Sequence, residues 1–184
     1  GGVEEATGVS TGGSLADYDN DGDLDLFVAQ YGSANLLFQN DGTGTYVDVS
    51  SGAGVGDGSG SFDGQWADYD GDGDLDLYVV NDDAANRLYT NDGTVGDWIE
   101  IELEGVVSNE FGVGGQVLVF TDTGTQRQDV DTGSGYNGQS PLTLHFGLNG
   151  ATAVDSVSVA WPSGLSQIIT TGLAKNTLVS ITEP

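Results

Sequence analysis

The chain has no cysteine, so it holds no disulfide and no thiolate metal site. Lys plus Arg number 3 against 29 Asp plus Glu, for a formal net charge of -26. A surface so poor in cations has nothing to pair with phosphate, which argues against nucleic acid and anionic lipid as partners. No apolar run approaches the ~18 residues that a membrane helix needs. There is one histidine, no G-x-S-x-G and no Walker-type glycine loop, so nothing marks a nucleophile or a nucleotide site. Carboxylates are so common that no pair stands out as an acid/base couple. The chain is therefore read as non-enzymatic. Proline is scarce at 3, whereas glycine reaches 31, a balance that suits a turn-rich β protein. Strong acidity alone also suits a disordered chain. Apolar strand-like runs recur along all 184 residues, however, and that length can bury a core.

What the sequence does have is a repeat. Residues 17–42, DYDNDGDLDLFVAQYGSANLLFQNDG, align without a gap on residues 68–93, DYDGDGDLDLYVVNDDAANRLYTNDG. The offset is 51 positions, and Gly13 and Ala16 before the first copy match Gly64 and Ala67 before the second. Internal repeats of this size are the signature of repeated β units. In each copy a lead-in strand (Ser14–Ala16, Gln65–Ala67) precedes an acidic loop. An apolar strand follows (Leu24–Ala29, Leu75–Val80), then a third strand (Asn35–Phe38, Asn86–Tyr89) ending in Asn-Asp-Gly, a turn signal. The first copy adds a fourth strand, Thr45–Val49; in the second its place is taken by Trp98–Leu103, a period-2 strand. From there the pattern changes to strands at 116–120, 126–130, 142–146, 156–161, 167–170 and 178–181, the spacing of a β-sandwich. No amphipathic helix is expected. The fold class is all-β: two propeller-blade-like repeats in residues 1–96, packed with a sandwich-like domain in residues 97–184.

The acidic loops carry the chemistry. Asp17, Asp19, Asp21, Asp23 and Asp25 fall at every second position, and Asp68, Asp70, Asp72, Asp74 and Asp76 repeat them. Like charges this dense repel unless a hard cation neutralises them, and Ca²⁺ takes six to eight oxygen ligands. Positions 1, 3, 5 and 9 of each loop would give side-chain oxygens and position 7 a backbone carbonyl. Gly22 and Gly73 at position 6 permit the sharp turn. Two Ca²⁺ sites are expected. The loop is not an EF-hand, because position 12 is Val28 or Val79 rather than Glu. Asp57, Asp63, Asp82 and Asp83 read as solvated surface or as a further weak cation site. His145, alternating within a strand, reads as structural, and Trp161 as core or sheet packing.

These motifs resemble a known architecture. Residues 13–93, with D-x-D-x-D-G-x-L-D and N-x-L-[FY]-x-N-D-G, resemble FG-GAP/VCBS repeats. Residues 98–184 resemble the ASPIC/UnbV domain of cartilage acidic protein-like chains, through Gly112–Val117, Gly133–Tyr136, Leu144–Leu148 and Val159–Gly164. The resemblance implies blades of a β-propeller, Ca²⁺ on the repeat aspartates and an extracellular location. Relatives carry more blades than two. Val3–Val9 looks like the tail of a preceding unit, so a sheet edge is expected to lack its neighbour. An open edge recruits strands from other chains. The expected role is a self-assembling structural subunit, in which Leu178–Ile181 or an edge completes a neighbour's sheet. The alternative is a calcium-stabilised adhesion or carbohydrate-binding module.

Overall fold

The computed structural model describes residues 8–56, 58–82, 84–93, 96–133 and 138–184. It is all-β, with fourteen strands and one short helix among the described residues. The chain divides into two compact units. The first comprises residues 1–18, 23–93 and 133–140, and the second residues 19–22, 94–132 and 141–184. The second unit thus takes in four residues of the first acidic loop, and the first takes in a segment from beyond residue 132. Neither exchange has a signal in the sequence.

In the first unit, β1 (Val9–Ala16), β2 (Asp25–Tyr31), β3 (Leu36–Asn40) and β4 (Tyr46–Asp48) form an antiparallel sheet in chain order. A one-turn helix, α1 (Ser50–Ala53), follows β4 and ends at Gly54, whose φ of 71° is left-handed. The second repeat forms β5 (Ser61–Ala67), β6 (Asp76–Asn81) and β7 (Arg87–Tyr89), also in chain order. Bulges fall at Ser10/Gly12 and at Ser61/Asp63, the same place in each repeat. The repeat's alternation sends Phe27, Ala29, Leu37, Trp66, Leu77 and Val79 into one core. Phe27 meets the Trp66 ring edge-on at 6.5 Å, and Tyr18 stacks on that indole at 6.0 Å. Gly64 has no substitute here: a Cβ on it would lie 2.4 Å from the Phe27 ring.

In the second unit, β8 (Trp98–Glu104) lies between β11 (Leu144–Gly147) and β14 (Leu178–Thr182). The other sheet runs β10 (Thr125–Asp129), β9 (Gln116–Thr121), β12 (Val154–Ala160), β13 (Ser166–Ile169). Strict alternation along β8 buries Ile99, Ile101 and Leu103. They share a core with Val117, Val119, Val157 and Val159 of the second sheet and with Phe146 and Trp161. This is the sandwich that the strand spacing predicts. Trp161 is core, and its indole N–H donates to Gln167 Oε1 at 3.1 Å. The terminal strand β14, expected to be available to a neighbour, instead pairs in parallel with β8 of its own chain. Glu183 just beyond it accepts from the backbone N–H groups of Val106, Val107 and Ser108 at 2.7–2.8 Å. The hydroxyls of Ser108 and Ser163 donate to its other oxygen.

Candidate metal centres

Each acidic loop bridges the first two strands of its repeat, so β-pairing sets the distance across which it must turn. The left-handed residues that make the turn possible are Gly22 and Gly73 (φ 93° and 95°), as the sequence indicates, and also Asn20 and Gly71 (φ 59° and 80°), which it does not. In the first loop Asp17, Asp19 and Asp21 each bring a carboxylate oxygen within 4.8 Å of the others. In the second the grouping is Asp68, Asp70 and Asp76. Hard oxygen donors gathered this closely, with no cationic side chain among them, fit a hard dication such as Ca²⁺.

The ninth-position aspartates have a duty that spacing does not reveal. Asp25 is fully buried; its Oδ2 accepts from Tyr18 N at 3.2 Å and its Oδ1 from Asn40 N at 2.8 Å. Asp76 repeats this with Tyr69 N at 2.9 Å and Asn91 N at 2.8 Å. Each carboxylate therefore ties the start of its loop to the end of the third strand. Asp25 stands outside the three-residue grouping of its loop, whereas Asp76 is part of its own. Asp68 accepts from Gly71 N and Gly73 N, and Asp72 from Asp74 N, so the second loop is closed on itself by its own carboxylates. Asp23 and Asp74, expected to offer carbonyls, direct their side chains toward the Asn-Asp-Gly turns. A Cβ on Gly42 would come within 2.5 Å of Asp23 Oδ2, and one on Gly93 within 3.5 Å of Asp74 Oδ2.

Electrostatics follow the crowding. The carboxyl of Asp70 is held above the usual aspartate range, first by desolvation and then by the charges of Asp72, Asp76 and Asp68. Within the second unit, Asn20 Oδ1 lies 2.7 Å from His145 Nε2, and the buried imidazole stacks on Trp98 at 5.8 Å. His145 Nδ1 is 3.8 Å from Glu100 Oε1. Asp63, read as a solvated or weakly cation-binding residue, is instead fully buried. It accepts from Gln65 Nε2 at 2.8 Å, and the missing Cβ of Gly12 leaves room for its other oxygen. Asp63 lies where the register of β5 shifts, at the bulge between Ser61 and Asp63. Asp82 is half-buried; Asp57, Asp83 and most of the Gly133–Tyr136 motif lie outside the described residues.

An all-β chain carrying two copies of a strand-mounted aspartate loop defines the class. Residues 17–79 match the family model of an FG-GAP-like repeat, a span that encloses both loops. Residues 105–184 match the model described as ASPIC and UnbV. The chain thus carries an FG-GAP-like repeat segment followed by an ASPIC/UnbV domain, the architecture its motifs indicate. No curated protein matches it. Among the described residues no helix is long and apolar enough to cross a membrane.

Proposed function

We propose that this chain is a non-enzymatic, extracellular, calcium-binding structural protein that associates with further copies through sheet edges. The observation that carries the calcium reading is that each loop gathers three carboxylates, Asp17, Asp19 and Asp21 in one and Asp68, Asp70 and Asp76 in the other, and that a ninth-position aspartate joins loop to strand in both. Asp17, Asp19 and Asp21 would hold one ion, and Asp68, Asp70 and Asp76 the other. Asp72 and the carbonyls of Asp23 and Asp74 are candidates for the remaining positions. Bound calcium neutralises the loop carboxylates, and the chain's own hydrogen bonds hold the donors ready, so little order is lost on binding. The non-enzymatic reading is supported by His145, whose ring is committed to Trp98 and Asn20. Calorimetry tests the proposal directly: two Ca²⁺ per chain is the expected result, and fewer than two counts against it.

Self-association draws support from the chain's sheet edges, and its charge sets the condition. At -26, copies repel until cations neutralise them, so assembly should require calcium. Head-to-tail edge contacts leave open ends and give filaments unless rotation closes a ring. A second reading, an adhesion or ligand-binding module, is favoured by one observation: an apolar cavity of about 340 Å³ in the first unit.

A further inference from the structure

The two repeats differ in one respect. β3 of the first is covered by β4, whereas among the described residues β7 of the second is the last strand of its sheet. In the first repeat, Leu37 accepts from Val49 N at 2.9 Å, and Gln39 and Asn40 pair with Val47 and Tyr46. The Tyr46 ring packs against Val28, Leu36 and Phe38 together with Leu26, and its hydroxyl donates to Leu24 O at 3.2 Å.

Moving by 51 positions carries this arrangement onto the second repeat. Leu24, Leu26 and Phe38 become Leu75, Leu77 and Tyr89, and Leu37 and Gln39 become Leu88 and Thr90. Leu75, Leu77, Tyr89 and Thr90 all line the cavity, with Val49 and Trp66 also on its wall. The slot that Tyr46 fills in the first repeat is thus an open volume in the second. Leu88 sits where the backbone of Leu37 faces β4, and its side chain is 40% exposed. The Trp66 indole N–H beside the cavity is buried and has no acceptor among the described residues. An occupant with an acceptor would satisfy it.

We propose that β7 and this cavity form a strand-accepting site for another chain: an extended peptide that adds antiparallel to β7 and seats one aromatic side chain in the cavity. Main-chain bonds to the edge give such a site affinity, and the pocket gives it specificity. Charge selects the partner. Arg87 is exposed on β7 itself, but the chain as a whole carries a net charge of -26, so the peptide carries Lys or Arg beside its aromatic residue rather than more acid. A second copy of this chain, with 3 basic residues in all, is a poor donor at this edge, so the self-association proposed above would use other sheet edges. The site goes beyond the proposed function and does not depend on calcium.

The first repeat supplies the probe. A synthetic peptide with the sequence of residues 41–53, carrying Asp41→Lys and Asp48→Lys, is titrated into the full chain and followed by calorimetry and tryptophan emission. Saturable one-to-one binding is expected. Replacing the peptide tyrosine by alanine, or methylating the backbone nitrogen at Val49, should each weaken it about tenfold or more. The peptide without the lysines should bind more weakly at low salt. In the protein, Leu88→Pro removes an N–H that the repeat directs away from β6, so it leaves the sheet intact and blocks the edge. No saturable binding, equal binding by the tyrosine and alanine peptides, or full binding after N-methylation would each overturn the proposal.

Discussion

Asp25 and Asp76 each give one oxygen to the backbone N–H of their loop's second residue and the other to the turn after the third strand. Removing such a carboxylate leaves two donors short of a partner, one of them against a fully buried site at Asp25. Charged hydrogen bonds are worth about 1.5–3 kcal/mol each, so Asp25→Ala should cost about 3 kcal/mol. Urea denaturation in excess chelator would show this, because no cation contributes there. Asp70 should behave in the opposite way. Its carboxyl titrates above the usual range because desolvation and then Asp72, Asp76 and Asp68 disfavour its charge. A carboxyl raised on folding favours the folded state in acid and opposes it as pH rises through the folded value. In chelator at neutral pH, Asp70→Asn should therefore leave stability unchanged or higher, while calorimetry records weaker calcium binding at one of two sites.

At the scale of the element, β14 is held by the residue that follows it. Burial of the Glu183 carboxyl opposes its ionisation. The hydroxyl of Ser163, the N–H and hydroxyl of Ser108, and the N–H of Val106 more than offset this and hold it at about 2. A carboxyl lowered on folding stabilises above its unfolded value, and that contribution fades as pH falls toward the folded one. The melting temperature of the native chain should therefore exceed that of Glu183→Gln at pH 6. The gap should close between pH ~4.5 and ~2, the span between ordinary and shifted glutamate values. A gap that persists unchanged to pH 2 would remove Glu183 from this role. The Asn-Asp-Gly turn of the first repeat makes a second test. Gly42 has φ 73°, and its missing Cβ leaves space for the Asp23 carboxylate. Gly42→Ala combines a left-handed backbone with that close approach and should lower stability by at least ~1–2 kcal/mol, read from the urea midpoint.

For the whole molecule, calcium and stability are linked if the loops hold ions only in the folded state. A ligand at a hundredfold excess over its Kd stabilises by about 2.7 kcal/mol per site. Chelation should lower the melting temperature, and Asp21→Ala should reproduce about half of that loss if the two sites are equal and independent. An unchanged melt in chelator would sink the structural-calcium reading. Light scattering in millimolar Ca²⁺ addresses assembly. Growth that chelator reverses is the expected outcome, and a persistent monomer would leave the chain a binding module.

Much of this was legible from residue order alone. The repeat at 51 positions, the alternation along Trp98–Leu103 and the turn glycines specify local geometry, which neighbours in sequence dictate, so strands and acidic loops could be placed directly. Trp161, read as core or sheet packing, lies in the core of the second unit, and His145, read as a strand-face residue, is buried on β11 against Trp98. Contacts between distant segments were not legible. Spacing gives no hint that Asp25 binds Asn40, that Glu183 caps a loop at 106–108, or that Leu178–Thr182 pairs in parallel with its own β8. Asp63 looked like one more surface acid, but it is buried beside Gly12, a contact between strands that spacing does not show. Sequence by itself determined the two repeats and their strands, because periodicity and turn chemistry are local. Only the tertiary structure decided which carboxylates face the loop mouth and which edge the second repeat leaves open, because both depend on what folds back against them.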